Sequence, residues 1–348
     1  MSTVGVDIGG TKVLAALVAD SGTILRRASA PTDPEAGTAS IISAIDILLE
    51  NGGRGASGGG SGSSLDAGSP GSTGSGSRVG MGGTGRMTPP PERPGAVGIA
   101  AAAWVEYPSG RVVFAPNLTY EEPELASALS GAVGLPVVVE NDANAAAWAE
   151  LQYGAAQGAT EMVMLTVGTG IGGGAVIGGQ LHRGSTGLAG EFGHLPLVDG
   201  GPLCACGQRG CLEALASGSA IGRMAREGID AAPGSIVLGL AGGDPRRITG
   251  SIVSEAAHAG DEFAAEVLAR AGRWLGAGMA SLVQALDPQV IVVGGGGAAA
   301  GSLLLQPARV EMERRLAHRN GPPIKEATLG NDAGAIGAAS LARLRTAG

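Results

Sequence analysis

Cys204, Cys206 and Cys211 are the only cysteines in this chain of 348 residues, and they fall inside one short run, "CACGQRGC". A disulfide framework explains them poorly, because three is an odd number and a Cys-x-Cys pair closes only a tight, strained ring. That leaves a metal site or chance, and three unassociated cysteines rarely cluster this way in a chain with no others, which favours the metal. His194, ten residues before Cys204, completes a set of three thiolates and one imidazole, the donor set of a closed structural zinc site, with His182 as reserve ligand among the four histidines. The surrounding stretch, "LAGEFGHLPLVDGGPLCACGQRGCLEALAS", has too few apolar anchors to fold unaided. The ion is therefore expected to supply its folding free energy, as a clamp and not as the catalyst. What it would clamp are two acids, Glu191 and Glu213. Carboxylates held in fixed geometry accept two hydrogen bonds each, which suits a ligand rich in hydroxyls.

The segment "VVVENDANAAAW" supplies a third acid. Asp142 stands where a buried strand gives way to a helix. It is either the helix N-cap or, at the carboxyl end of a strand between two lobes, a base placed to take the proton of a hydroxyl attacking phosphorus. Phosphate handling is expected from glycine turns that directly follow apolar strands, since a residue without Cβ lets backbone N–H groups approach an anion. In "DIGGTK", Gly9, Gly10 and Thr11 offer such donors, Lys12 adds a positive charge, and Asp7 brings a carboxylate suited to magnesium through water. A plain hairpin turn accounts for the same glycines. "GTGIGG", beginning at Gly168, matches the dinucleotide pattern G-x-G-x-x-G, but that pattern opens a helix and here a strand follows. A phosphate-holding hairpin is the better reading. The four glycines 294–297 after "VIVV" let a base or ribose lie close to the main chain, or form a flexible loop. No Walker A sequence occurs.

Positioning these groups takes interleaved strands and helices, an α/β class. The opening "STVGVDIGGTKVLAALVADSGTILRRAS" reads as a three-strand antiparallel meander, and residues 35–50 carry apolar side chains at helical spacing. From Asn51 to about Pro94 glycine, serine and proline dominate, and such a segment cannot bury enough surface to offset its ordering entropy, so 51–94 is read as a flexible, dispensable insertion. Strands are expected in "GAVGIAAAAWV", "RVVFAPN" and "PVVVEND", with a helix near 122–130 and another in "ANAAAWAELQYG". "EMVMLTVGTGIGGGAVIGGQL" then repeats the opening scheme of strand, Gly/Thr turn, strand, so two related lobes are expected to face one another. Helices at 218–227, 248–258 and 260–286, the strand "QVIVVGGGG", and helices near 302–317 and at 333–346 complete the pattern.

Composition narrows the partners. The formal net charge is −8, and the 23 lysines and arginines form no block. Nucleic acid and an anionic membrane surface are not expected partners. The chain has no apolar run of spanning length and its first apolar stretch holds Asp7 and Lys12, so neither a membrane span nor a signal peptide is expected, and a reducing cytoplasm suits the clustered thiols.

Four motifs in order, "GVDIGGTK", "VVVENDANAAAW", "LTVGTGIGGG" and "AGEFGH…CACGQRGCLE", resemble the ROK family (repressors, open reading frames, kinases), most of all its bacterial glucokinases. The resemblance covers nearly the whole chain except the insertion. It implies a two-lobed actin/hexokinase-like (ribonuclease H-like) fold with the active site in the interlobe cleft. One lobe would comprise 1–140 joined by the C-terminal helix 333–348, and the other 141–332 with the zinc loop. It implies transfer of a γ-phosphoryl from ATP, with Mg2+, to the 6-hydroxyl of glucose. Asp142 would be the general base. Asn117, Asn141, Asp142, Glu191, His194 and Glu213 would contact the sugar, His194 binding zinc through one ring nitrogen and a sugar hydroxyl through the other. Thr11, Lys12, Thr169 and Gly170 resemble phosphate-turn positions, and Gly295 the nucleotide edge. A homodimer or higher homo-oligomer is the family expectation. Other hexoses (N-acetylmannosamine, N-acetylglucosamine, fructose) and polyphosphate as donor stay open. A sugar-responsive regulator is disfavoured, since the first phosphate motif begins at residue 5 with no helix-turn-helix before it, and the chain is acidic. "GIAAAAWV" departs from the family by alanine where a glycine is frequent.

Overall fold

A computed structural model describes residues 2–10, 12–33, 37–50, 93–115 and 124–347. The expectations for 51–92, Thr11 and Asn117 lie outside these residues. The first sheet contains β1 (Ser2–Ile8), β2 (Lys12–Ala19), β3 (Ile24–Pro31), β4 (Val97–Ala101) and β7 (Val137–Asn141), in the order β3-β2-β1-β4-β7. Helix α1 (Gly37–Glu50) follows β3. Between β4 and β7 come a short ribbon, β5 (Trp104–Glu106) with β6 (Arg111–Phe114), and helix α2 (Leu125–Val133). Helix α3 (Asp142–Tyr153) leads to the second sheet, built from β8 (Met162–Val167), β9 (Ile171–Ile177), β10 (Gln180–Leu181), β11 (Val290–Gly294) and β12 (Ile324–Glu326) in the order β10-β9-β8-β11-β12. Its helices are α4 (Leu212–Ala216), α5 (Gly218–Gly228), α6 (Val237–Leu240), α7 (Gly250–His258), α8 (Glu262–Leu286) and α9 (Ser302–Arg315); α10 (Ala333–Ala347) closes the chain. None of the helices among the described residues is long and apolar enough to cross a membrane.

The two sheets are the same design used twice. In each, three strands form an antiparallel meander and two parallel strands add to its first member. The period of two in each strand assigns the faces. In β1, Val4, Val6 and Ile8 enter a core shared with Ile41 and Ile45 of α1, while Gly5 and Asp7 point the other way, to α10. Their pairing partners repeat the rule: Val97 and Ile99 join that core, and Gly98 lies opposite Gly5. Neither glycine can be enlarged, since a Cβ at Gly5 or Gly98 would lie 1.9 Å from the carbonyl oxygen of Ala335 or Ala338 on α10. In the second sheet Val163, Leu165, Ile291 and Val293 meet α5 and α7 to α9, and Met162, Met164, Val290 and Val292 meet α3 and α10. Those two helices fill the space between the sheets and touch through Gly337, whose Cβ would sit 1.8 Å from the Ala145 oxygen.

Three expected elements differ. "GAVGIAAAAWV" is not one strand: it ends at Ala101 and resumes at Trp104, because Ala103 N–H turns back to the Ala101 oxygen at 2.8 Å. "RVVFAPN" pairs with β5 and not with either sheet, and is a strand only to Phe114. The helix expected at 122–130 runs from Leu125 to Val133, ended by Gly134 in the left-handed region at φ 66°. Strands β10 and β12 and helices α4 and α6 are too short to register as periodic patterns.

Candidate functional site

The carboxyl ends of β1, β7 and β11 converge on a cavity of about 380 Å³ lined by Asp7, Gly9, Lys12, Asp142, Thr166 and Gly295. Asp142 is not the cap of α3. Asn141 is, accepting from Asn144 N–H at 2.9 Å, while its side-chain amide donates to the Ala103 oxygen at 3.1 Å. The Asp142 carboxylate is therefore left at the first helical position, where Oδ1 accepts from the Ala143 N–H at 2.8 Å. Burial raises its pKa to about 6, against the pull of the Ala143 N–H. Asp7 is raised to about 7, first by burial, then by the charges of Asp142 and Asp332, with Lys12 opposing. Its carboxylate lies on the start of α10, where a Cβ at Gly334 would come within 2.7 Å of it. The turn itself is bound by Gly9 N–H donating to the Lys12 oxygen at 3.0 Å, and Thr32 donates to the Gly9 oxygen at 2.7 Å.

Glu191 extends this acidic cluster. Its pKa rises to about 7 through burial and the charges of Asp142 and Glu213, and a hydrogen bond from Trp104 opposes the rise. His194 Nε2 lies 3.9 Å from Glu191, and the opposite ring nitrogen, Nδ1, lies 3.6 Å from Cys204 Sγ. Cys206 and Cys211 sulfurs are 3.8 Å apart. One donor atom from each of these four residues lies within 4.8 Å of all the others, a group able to hold a metal ion. His182 is exposed and stands outside this group. The cysteines are brought together by pairing of Leu203 with Arg209 and of Pro196 with Cys211. Gly210, at φ 75°, passes so close to the Val198 oxygen that a Cβ would lie 1.7 Å from it.

Immediately after Cys211, Glu213 joins the metal group to the second glycine turn. One oxygen accepts from the Ile171 N–H at 2.9 Å and the other from the Cys204 thiol at 3.5 Å. Gly170 leaves room for it: a Cβ there would be 2.3 Å from the carboxylate. Gly168 and Thr169 are bonded through their carbonyls to Gly218 and Ser219 at the start of α5. Beyond this turn lies a second cavity, about 510 Å³, lined by Thr169, Ser219, Arg226, Thr249, Gly296 and others. Gly295, at φ 83°, is the residue that lets the chain pass between the two cavities. The structure thus brings together Asp7, Lys12, Asp142 and Gly295 in one cavity, and Glu191, His194, Glu213 and the cysteines in a contiguous group beside it.

Sequence reasoning passed over Trp104, whose ring edge meets His194 at 6.2 Å and Phe114 at 5.4 Å. It also passed over Glu140 and Arg183, joined at 2.7 Å. A lone tryptophan beside an alanine run and an arginine in a loop carry no spacing signal. The 510 Å³ cavity is assembled from turns and helix ends between Gly168 and Ala300, which no local pattern reveals.

Two facing sheets of ribonuclease H-like topology around an acid-lined cleft define the actin/hexokinase-like fold. The family model described as ROK family matches residues 87–345. A glucokinase of Streptomyces coelicolor is 40% identical, the match covering 98% of this chain and 97% of that protein. An N-acetylmannosamine kinase of Escherichia coli is 35% identical, covering 99% of each. Among solved structures, a ROK family glucokinase from Streptomyces griseus in complex with glucose and AMPPNP is 39% identical, with a TM-score of 0.79 over 99% of this chain and 100% of that one. This chain belongs to the ROK family.

Proposed function

We propose that the protein is a glucokinase, transferring the γ-phosphoryl group of ATP to the 6-hydroxyl of glucose. The observation that carries the reading is Asp142, freed from capping by Asn141 and set in the cleft between the first glycine turn and the Glu191–His194 pair. As the sugar oxygen bonds to phosphorus and the bond from phosphorus to the ADP oxygen breaks, the hydroxyl proton passes to Asp142 through Oδ2, the oxygen not bonded to Ala143. A pKa of about 6 leaves the group ionised at neutral pH yet basic enough to accept that proton. Glu191, the free nitrogen of His194, Asn141, Asn117 and Glu213 are the proposed sugar contacts, and the 510 Å³ cavity is the proposed seat of the adenosine. Lys12, Gly9, Gly10 and Thr11 on one side and Gly168, Thr169 and Gly170 on the other would hold the phosphates. Mg2+ bound with ATP supplies neutralisation of phosphate charge, and Asp7 is the residue to hold it.

Zinc is the metal that fits the cysteine group. With Zn–S near 2.3 Å and Zn–N near 2.0 Å, a tetrahedral ion demands sulfur–sulfur edges of about 3.8 Å and nitrogen–sulfur edges of about 3.6 Å. Two of the six edges, Cys206 to Cys211 at 3.8 Å and His194 to Cys204 at 3.6 Å, match these values, and all six lie within 4.8 Å. Residues 1–140 with 333–348, and 141–332, are the proposed lobes, and a cytoplasmic homodimer or higher oligomer completes the reading. The test is purified protein assayed with glucose, fructose, N-acetylglucosamine and N-acetylmannosamine against ATP and polyphosphate, beside Asp142→Asn. Glucose with ATP is expected to give the highest kcat/KM. A higher value with N-acetylmannosamine, or parental turnover by Asp142→Asn, overturns the substrate or the base respectively.

A further inference from the structure

Glu140, next to the capping Asn141, is buried. Its Oε1 accepts from Asn141 N–H and from the Asn144 side chain, both at 3.2 Å, so this carboxylate grips the turn on either side of Asp142. Its Oε2 accepts from Arg183 Nε at 2.7 Å, with side chains only 5% and 19% exposed. Arg183 lies just beyond β10, at the head of the segment that ends in Glu191. That segment is folded on itself by Ala189 N–H donating to the Arg183 oxygen at 3.1 Å. The guanidinium also lies 4.5 Å from the ring centre of Tyr107 in the β5–β6 turn, and Tyr107 N–H donates to Thr186 at 3.1 Å. Gly187 closes the contact, since a Cβ there would be 2.3 Å from the Tyr107 nitrogen. Arg345 of α10 also lies over this ring, 5.4 Å from its centre.

We propose that Arg183 is a positioning residue for phosphoryl transfer: bonded to Glu140 and stacked on Tyr107, it locks the turn that carries Asp142 to the segment that carries Glu191. It touches neither substrate. One part-buried side chain sets the distance between the group that takes the proton and the group that holds the sugar, and leaves the nucleotide cavity alone. Lysine cannot replace it fully, because a point charge lacks the flat face that stacks on Tyr107 and the fixed direction of the Nε–H donor.

The inference rests on the kinase reading above, and the test separates the two. Arg183→Met, Arg183→Lys, Glu140→Gln, the Glu140→Gln/Arg183→Met pair and Arg345→Met are compared with the parent for kcat, for KM of glucose and of ATP separately, for metal content and for melting temperature. Arg183→Met is expected to lower kcat by roughly ten- to a hundredfold, the scale of a misplaced catalytic group. Its KM for glucose should rise while KM for ATP and metal content stay parental. Arg183→Lys should recover part of the loss, the double variant should be no worse than the poorer single, and Arg345→Met should match the parent. Should Arg183→Met not fold, Arg183→Lys and Glu140→Gln carry the same comparison. Hydrogen exchange, read without turnover, should quicken in Arg183→Met at 141–144 and 184–191 and nowhere in α7 or α8. A parent inactive on every hexose sinks the kinase reading and leaves the exchange result to judge the lock. Parental kinetics and exchange in Arg183→Met, or equal losses from Arg345→Met, overturn the role of Arg183.

Discussion

The hairpin after β1 and the hairpin after β8 occupy the same place in two sheets of one strand order, yet their glycines face opposite surroundings. Gly10 has nothing within 4 Å of where a Cβ would stand, and its turn opens on a cavity lined by Asp7, Lys12 and Asp142. Gly170 is wedged against Glu213, and its turn is bonded to Gly218, Ser219 and the residue after Cys211's helix start. The first turn thus opens beside titrating carboxylates, while the second is braced by a carboxylate and the start of a helix. Duplicated topology sets where a site can form; the side chains around each turn decide what each can do.

Loss of the base should therefore fall on kcat, and loss of the metal loop on KM. The largest effect is expected from Asp142→Asn, about a hundred- to ten-thousandfold in kcat, the usual worth of a general base, with glucose affinity retained in a calorimetric titration. Cys211→Ser should strip the metal and raise the KM for glucose and lower the melting temperature together, measured beside metal content by mass spectrometry; unaltered glucose affinity in metal-free protein would break the link between loop and sugar. Lowering pH through about 6 should cost kcat/KM about tenfold per unit as Asp142 takes up its proton. The ligand-free fold should respond oppositely. The folded carboxyls of Asp7, Asp142 and Glu191, at about 7, 6 and 7, hold protons that the unfolded chain has released, so their contribution to stability declines as pH rises from about 4 to 7. Asp142→Asn should make that decline in melting temperature shallower. Gly170→Ala should destabilise by about 1–3 kcal/mol through overpacking and raise the KM for ATP. Gly10→Ala, the matched change in the other sheet, should stay within about 0.5 kcal/mol of the parent in chemical denaturation.

Much of this was legible in the residues. The duplicated strand–turn–strand scheme announced two sheets, and the apolar periodicity of "EFAAEVLARAGRWLGAGMASLVQAL" announced α8, because both signals are local. The metal group was legible because three cysteines in a chain with no others leave few explanations. Asp142 was found but its neighbour's role was not: an Asn-Asp pair at a strand–helix junction offers two caps, and only the main-chain angles of Asn141, φ −61° and ψ 142°, select the first. Arg183 and Trp104 act through partners distant in the chain, and a sequence read without its fold carries no record of such meetings.

The close fit of Gly5 and Gly98 beneath α10 reaches beyond catalysis. A strand near the start of the chain is sealed on one face by a helix of fifteen residues that follows it by more than three hundred. On the ribosome, therefore, β1 and β4 emerge with that face bare and wait for α10 before it is covered, and the same helix covers Met162, Met164, Val290 and Val292 of the second sheet, so one late element seals both halves.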